Sequence, residues 1–398
     1  MIRNLFYMGL IFATLHLFAN QEKKIWYAPN GFQAYGEEEI QAVVDCLNDG
    51  WLAGFGEKTK EFERKIAKLF GKKYALFVNS GSSANLIALS VLGVGPGDEV
   101  ITPACTFATS VAPIIQVGAI PVFCDSPIGK YVPEVKDIVK LITPRTKCIL
   151  IPDLIGNKPD WAKLRQYTDL PLIEDSCDTI TFTEETDIST TSFYASHIIT
   201  ACGSGGMVMF NDEDLYKKAI MYRDWGRIGN NKEDPEERFN FEIDGIKYDF
   251  KFLYEVKGFN FKSSEVNAAF GLAQLKKLDK FKKKRRENFE RFLKNLEGTS
   301  FILPDDSQQS DWLAIPLMTK NRLDLLYFLE SHGIQTRVLF SGNITRHPAY
   351  REYLQPLENA DRIMAEGFLL GTHQGMTIED VDYICDLLKE WESEKNIK

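Results

Sequence analysis

The chain has 398 residues, of which 44% are hydrophobic and 26% are charged, a composition typical of a soluble globular protein with a substantial core. Its formal net charge of -9 argues against nucleic acid as a partner. Seven cysteines, an odd number without C-x-x-C spacing, indicate neither a disulfide framework nor a zinc site and favour a reducing compartment.

Residues 1–24 are a candidate signal or targeting segment. An early Arg3 precedes an apolar run from Leu5 to Phe18, and Ala19 stands where a signal peptide would be cleaved. The run is too short for a comfortable membrane span. A secretory signal, an amphipathic lead-in and a start codon placed too early are the three alternatives, and they stay open here.

From Ile25 onward, strand-like and helix-like segments alternate. Residues 37–50 and 59–71 have helical spacing and end in glycine, a helix stop signal. Residues 74–125 read as strand, helix, strand, helix and strand, and two further apolar strands follow. The alternation predicts an α/β fold whose mostly parallel sheet forms a large domain over 25–275.

The composition changes near residue 275. A long charged helix is predicted over 273–296, and shorter strand and helix patterns follow it up to a final helix near 378–395. These segments predict a smaller α+β domain over 276–398. The lysine-rich stretch 276–292 is interpreted as a solvated helix face.

Polar and aromatic residues follow several predicted strands, where parallel sheets bind their ligands. Gly81 and Ser82 begin a predicted helix, so they form either a phosphate cradle or an ordinary helix cap. Asp175 ends an apolar strand and is either a solvated turn residue or the partner of a cationic ring nitrogen. Phe107 either packs in the core or lies flat against a planar ligand.

Phosphate, a ring nitrogen and a flat face together describe pyridoxal phosphate. The succession of motifs NSGSSAN, PACTF, LIEDSCD, SFYASH, GSGGMV and GFNFKSSEVNAAFGLAQL resembles the DegT/DnrJ/EryC1/StrS sugar aminotransferases over roughly residues 25–395. This resemblance implies the fold type I of pyridoxal-phosphate-dependent transferases, which is aspartate aminotransferase-like. It places the large cofactor-binding domain before the small C-terminal one.

One position departs from the family pattern. The family has Ser-Phe, three residues and then the lysine that binds the cofactor aldehyde, whereas here Ser192 and Phe193 are followed three residues later by His197. Histidine cannot form that bond but can move a proton near neutral pH. The resemblance therefore points to the nucleotide-sugar 3-dehydratases, which act on CDP- or GDP-linked 4-keto-6-deoxyhexoses in deoxysugar and lipopolysaccharide O-antigen biosynthesis.

The resemblance also assigns roles to residues. Pyridoxamine phosphate, or pyridoxal phosphate, is held without a covalent bond, with its phosphate on Gly81, Ser82 and Ser192. Asn260 reaches the same phosphate from a second subunit, which implies a homodimer. Asp175 pairs with the ring nitrogen, Phe107 stacks on the ring and His197 is the catalytic base. A nucleotide-sugar is the substrate, and an amino acid such as glutamate is the donor that restores the amine.

Four further stretches, 49–55, 223–227, 340–350 and 358–364, resemble the 3-dehydratase that acts on CDP-linked sugars. That enzyme carries an iron–sulfur cluster on four cysteines. Cys177 matches one cluster position, but no cysteine lies between residues 203 and 384. We therefore expect no iron–sulfur cluster and no other metal. The segment between Asp178 and Ser192 is shorter than in the family, which predicts an altered active-site wall.

Two other functions compete with dehydration. An ordinary sugar aminotransferase needs a lysine near position 197, and none lies between Lys163 and Lys217. A non-catalytic homologue that binds a nucleotide-sugar is the second alternative. We expect a cytoplasmic protein, because export would separate it from its cofactor and from sugar nucleotides.

Overall fold

The computed structural model describes residues 24–228 and 233–396. The predicted targeting segment lies outside these ranges except for Lys24. No helix within them is long and apolar enough to cross a membrane.

The main sheet has seven strands, six of which run parallel. They are Tyr74–Val78 (β1), Glu99–Pro103 (β2), Ile120–Cys124 (β3), Thr146–Pro152 (β4), Leu172–Asp175 (β5), Ile188–Ser192 (β6) and Gly206–Phe210 (β7). The spatial order is β1-β7-β6-β5-β4-β2-β3, and β7 alone is antiparallel to its neighbours. The predicted alternation over 74–125 is confirmed. The carboxyl ends of β1, β2, β5 and β6 thus meet at one edge.

Helices cover this sheet and lead away from it. Up to the last strand of the sheet they are Glu37–Asp49 (α1), Glu57–Leu69 (α2), Gly81–Val91 (α3), Ala108–Gln116 (α4), Val135–Val139 (α5) and Trp161–Arg165 (α6). After it come Glu213–Arg223 (α7) and Pro235–Phe239 (α8), then the hairpin strands Phe241–Ile243 (β8) and Ile246–Tyr248 (β9).

The prediction of one continuous helix over 273–296 is wrong. The structure has two helices here, Glu265–Leu275 (α9) and Leu278–Leu296 (α10). Between them the N–H groups of Lys276 and Lys277 donate three residues back, to the carbonyls of Ala273 (3.2 Å) and Gln274 (2.9 Å). Such tight turns end an α-helix and let the chain change direction.

A second sheet lies in the C-terminal part of the chain. It contains Ala314–Met318 (β10), Arg337–Val338 (β11) and Gly367–Gly371 (β12) in the antiparallel order β10-β12-β11. The remaining helices are Arg322–Ser331 (α11), Glu358–Glu366 (α12) and Ile378–Asn396 (α13).

The segment around Ile25 also packs against this C-terminal sheet. The Ile25 N–H donates to the Gly333 carbonyl at 2.9 Å, and the Gln335 N–H donates back to Ile25 at 2.8 Å. Trp26 is tied to the same region, because its carbonyl lies 3.0 Å from Nε2 of His373. The division into 25–275 and 276–398 stays a prediction.

Candidate active site

A cavity of about 940 Å³ opens at the edge where the parallel strands end. It is closed on the opposite side by Leu313, Arg337 and Leu369 of the C-terminal part. Six of the seven predicted site residues line this one cavity, namely Gly81, Ser82, Phe107, Asp175, Ser192 and His197. Asn260 does not line it; it is exposed and is paired as a bridge with Asp224. Its predicted contribution to a second subunit stays a prediction.

One end of the cavity is the start of helix α3. Ser80 is the helix cap, and its hydroxyl accepts from the Ser83 N–H at 3.1 Å. Gly81 has no room for a side chain, because a Cβ there would lie 2.7 Å from Cys177 Sγ and 2.8 Å from Ser192 Cβ. Glycine thus lets the helix start approach the end of β6. The first N–H groups of a helix lack partners within the helix and favour an anion.

Asp175 and Glu174, adjacent at the end of β5, face opposite sides of the sheet. Asp175 Oδ2 accepts from Asn85 Nδ2 at 2.8 Å and from Ser110 Oγ at 2.7 Å. Its Oδ1 is buried and has no hydrogen-bond partner among the described residues. A buried carboxylate oxygen without a partner in a cavity wall is suited to a cationic N–H from a ligand.

Glu174 instead anchors the shortened segment between Asp178 and Ser192. Its carboxylate accepts from Thr183 Oγ1 at 2.6 Å and from Ser189 Oγ at 2.5 Å. No residue from 179 to 191 lines the cavity. Thr190 lies behind the wall, where its Oγ1 donates to Asn85 Oδ1 at 2.6 Å. The effect of the shortened segment on the active-site wall stays a prediction.

Phe107 stands at the cavity wall with 55% of its surface exposed. Its ring meets the edge of Phe340 at a centroid distance of 6.1 Å. It is not a core residue, which favours the flat-ligand alternative over core packing.

His197 lies in a turn whose two ends are buried. Phe193 is fully buried and packs on Phe62 at a ring distance of 4.9 Å. The Phe193 carbonyl accepts from Ala201 N–H at 3.1 Å and from Thr200 Oγ1 at 2.9 Å. With the turn fixed at both ends, the imidazole is presented to the cavity.

The imidazole is uncharged at neutral pH. Burial, together with the positive charge of Arg285, lowers the pKa of His197 to about 4. Its Nδ1 has no hydrogen-bond partner among the described residues and lies 3.8 Å from Asp178 Oδ1. Burial, reinforced by the charge of Asp175, raises the pKa of Asp178 to about 7, although the Ile155 N–H donating to it at 2.8 Å opposes the shift. A neutral imidazole beside a carboxyl group can accept a proton.

Several cavity residues were not predicted from the sequence. Asp178 had a signal, since it lies three residues after Asp175 in the same motif. Tyr27 and Arg337 also line the cavity, but they come from distant parts of the chain without any motif. Tyr350 and His347 line it too and lie in the stretch 340–350. His373 does not line the cavity.

The wall fits a phosphorylated pyridine that is not covalently bound. It offers a helix start without a Cβ at Gly81, an unpaired carboxylate oxygen on Asp175 and the exposed ring of Phe107. No lysine is among the described residues that line the cavity. The described parts of the chain hold no group of three acid, histidine or cysteine side chains suited to a metal ion.

Several known proteins are similar to this chain over most of its length. The model of the DegT/DnrJ/EryC1/StrS aminotransferase family matches residues 33–389. The chain is 36% identical to the lipopolysaccharide biosynthesis protein RfbH of Salmonella typhimurium, over 91% of each chain. It is 34% identical to the dTDP-4-dehydro-2,6-dideoxy-D-glucose 3-dehydratase of Saccharopolyspora spinosa, over 89% of this chain and 84% of that one.

A solved structure shares the fold. The Escherichia coli GDP-4-keto-6-deoxy-D-mannose-3-dehydratase with bound hydrated PLP superposes with a TM-score of 0.82 and 26% identity. The match covers 92% of this chain and 99% of that one. The predicted α/β fold of the pyridoxal-phosphate-dependent transferases is therefore confirmed.

Proposed function

This chain belongs to the DegT/DnrJ/EryC1/StrS aminotransferase family, and on that premise we propose that it is a 3-dehydratase of a nucleotide-linked 4-keto-6-deoxyhexose. Its cofactor is pyridoxamine phosphate, or pyridoxal phosphate, held without a covalent bond. The names of two similar proteins, a dTDP-sugar 3-dehydratase and a GDP-sugar 3-dehydratase, support this substrate class.

The observation that carries the proposal is His197. A neutral imidazole stands in the cavity at the position where the family motif has lysine, and no lysine among the described residues lines that cavity. A transaminase of this family needs a lysine that binds the cofactor, whereas a dehydratase needs a base. The described residues of the cavity wall include the base, His197, and no lysine.

The residues of the cofactor site have separate roles in this proposal. Gly81, Ser82 and Ser192 bind the phosphate, while Asp175 keeps the ring nitrogen protonated. When bound, the cofactor supplies an amine that condenses with the sugar ketone and a ring that takes up electrons. Phe107 holds that ring flat.

His197 moves the proton. With Nδ1 directed toward Asp178, Nε2 is the atom that would accept the proton given up by the bound cofactor. The same proton would leave with the C3 hydroxyl as water. Hydrolysis would then release the 3-deoxy-4-keto sugar and, as ammonia, the nitrogen supplied by the cofactor, and an amino donor such as glutamate would restore the amine.

The nucleotide-sugar enters from the C-terminal side of the cavity, where Arg337, His347 and Tyr350 lie. The guanidinium of Arg337 offers a cation for a diphosphate. A homodimer in which Asn260 completes the phosphate site of the other subunit is part of this proposal. Asn260 is exposed outside its own cavity, as such a role requires.

The test is mass spectrometry of CDP-, GDP- and dTDP-linked 4-keto-6-deoxyhexoses after incubation with the protein and pyridoxamine phosphate. His197→Asn is compared with the wild type, and His332→Asn, at an exposed position outside the cavity, is the matched control. Loss of the C3 oxygen with the wild type and the control, but not with His197→Asn, is expected. An amino sugar would mean that the chain is an aminotransferase. Unchanged sugars throughout, with no change of cofactor absorbance, would mean a binding protein.

A further inference from the structure

The buried guanidinium of Arg285 on helix α10 pairs with no carboxylate among the described residues. Its side chain is 4% exposed, and its only hydrogen bond among the described residues runs from Nη1 to the Leu313 carbonyl at 2.8 Å. Nε and Nη2 have no partner there. The neighbouring cations do form ion pairs. Lys282 pairs with Asp311 at 2.6 Å, and Arg286 pairs with Asp306 at 2.5 Å.

Such an arrangement is costly. An uncompensated buried ion costs several kcal/mol even after the protein relaxes around it. Burial lowers the pKa of Arg285 to about 10, so the guanidinium is still charged at neutral pH. A cost of this kind is more readily explained at a functional site than in an ordinary core.

The charge lies directly behind the wall of the active-site cavity. Leu313, which accepts its hydrogen bond, lines that cavity. Ile198, the residue after His197, shares with Arg285 the lining of a second, very small cavity. The charge of Arg285 acts on His197 and Tyr27, which line this wall, and on His373, which does not.

We propose that Arg285 is a positioning residue for His197, and that its unpaired charge holds the imidazole in the neutral form that accepts a proton. Asp178 opposes this effect, since its carboxylate lies 3.8 Å from Nδ1 of His197 and, once ionised, favours the imidazolium cation. The meaning of this arrangement for catalysis rests on the proposed function. The electrostatic coupling itself does not, because it can be measured without substrate.

Other charged or titratable groups around this wall enter the balance with Arg285. Those that line the cavity are Tyr27, Asp175, Cys177, Asp178, Tyr194, Arg337, His347 and Tyr350, and those beside Arg285 in the small cavity are Lys282, Arg286 and Asp311. His373, outside both cavities, is coupled to Arg285 as well. None of them is changed in the experiment, so a difference between variants at position 285 reports the guanidinium charge.

The test is a proton NMR titration of the full-length protein without cofactor, in the wild type, Arg285→Met and Arg285→Lys. The His197 signal is identified by its loss in His197→Asn. We expect the pKa of His197 to rise by about one unit or more in Arg285→Met and to stay near the wild-type value in Arg285→Lys. A merely structural role for Arg285 would not be rescued by lysine in this way.

A shift below about 0.3 unit in Arg285→Met, or an equal shift in Arg285→Lys, would overturn the proposal. Met fills much of the same space, and removing a buried unpaired charge generally leaves a protein folded. If Arg285→Met fails to fold, Arg285→Gln carries the test, since it keeps a donor for the Leu313 carbonyl but no charge.

Activity gives an independent readout. If the protein is the dehydratase proposed, the acid limb of the pH profile of kcat/KM moves to higher pH in Arg285→Met by the shift measured by NMR. Equal profiles in the two proteins, despite a raised pKa, would show that His197 is not the base while leaving the coupling intact. No turnover in any variant would refute the proposed function, and the NMR result would still decide the coupling.

Discussion

Asp175→Asn tests the cofactor site through a single oxygen. In the wild type, two donors fix Oδ2, namely Asn85 Nδ2 at 2.8 Å and Ser110 Oγ at 2.7 Å. In the variant these donors hold the amide oxygen in the same place. The NH2 group must then take the position of the unpaired Oδ1, so a donor meets the protonated ring nitrogen.

The expected loss of cofactor affinity follows from the hydrogen bond between Asp175 and the ring nitrogen that the substitution removes. A hydrogen bond between charged groups contributes about 1.5–3 kcal/mol, which corresponds to a Kd for pyridoxamine phosphate weakened by about 10- to 150-fold. The assay is a calorimetric or fluorescence titration of apo-protein with pyridoxamine phosphate. Glu174→Gln is the matched control, because this neighbouring acid faces the other side of the sheet and its carboxylate contacts Thr183 and Ser189.

A Kd for Asp175→Asn within twofold of the wild type would refute the reasoning. So would an equal weakening in Glu174→Gln, since the effect would then belong to the strand and not to the oxygen that faces the cavity.

Three further predictions concern other parts of the cavity. Gly81→Ala places a Cβ 2.7 Å from Cys177 Sγ, so we expect a loss of about 1–3 kcal/mol in the free energy of unfolding and weaker phosphate binding, measured by denaturant unfolding and by titration with inorganic phosphate. Phe107→Ala, at a site that is 55% exposed, should weaken cofactor binding while changing the free energy of unfolding by less than about 0.5 kcal/mol. Because the pKa of Asp178 is raised to about 7 in the folded state, this group stabilises the protein below its unfolded pKa and the stabilisation is lost as pH rises toward 7. Asp178→Asn should remove this decrease, as followed by urea unfolding between about pH 4 and pH 8.

Each of these has its own control. Ser82→Ala adds no Cβ, so a loss of stability as large as that of Gly81→Ala would contradict the steric argument. A destabilisation above about 1 kcal/mol in Phe107→Ala would mean that the ring is a core residue after all.

His197 changes the pH dependence of stability in the direction opposite to Asp178. Its pKa of about 4 is below the ordinary value, so the stabilisation that it provides is lost as pH falls. The pH series is therefore also measured in His197→Asn, and an unchanged slope in Asp178→Asn would contradict the assignment.

Strands β1 to β5 of the main sheet could be predicted because they are short apolar runs bounded by glycine and polar turns. Strand β6 is mostly serine and threonine and lacks this signal. The apolar runs placed Gly81 and Asp175 at strand ends, and the order of the parallel strands brings these ends together with Ser192. The departure at His197 was visible because it stands at a fixed distance from Ser192.

Other features had no local signal. The break between α9 and α10 lies inside a run of strong helix formers, so propensity alone predicts one helix. Tyr27 and Arg337 join the cavity through contacts between distant segments, such as the hydrogen bond from the Tyr27 N–H to Gln335 Oε1 at 3.1 Å. Among the described residues, no carboxylate pairs with Arg285. This property depends on the folded structure, so a sequence pattern does not show it.

The hydrogen bonds that join Ile25 to Gly333 and Gln335 have a consequence for biosynthesis. The ribosome makes Tyr27 among the first residues of the cavity wall, yet its partners emerge only some 300 residues later. A nascent chain can complete the parallel sheet first, because domains fold as their segments emerge. We therefore expect the cavity wall to be complete only after the C-terminal lining residues, up to Leu369, have been made.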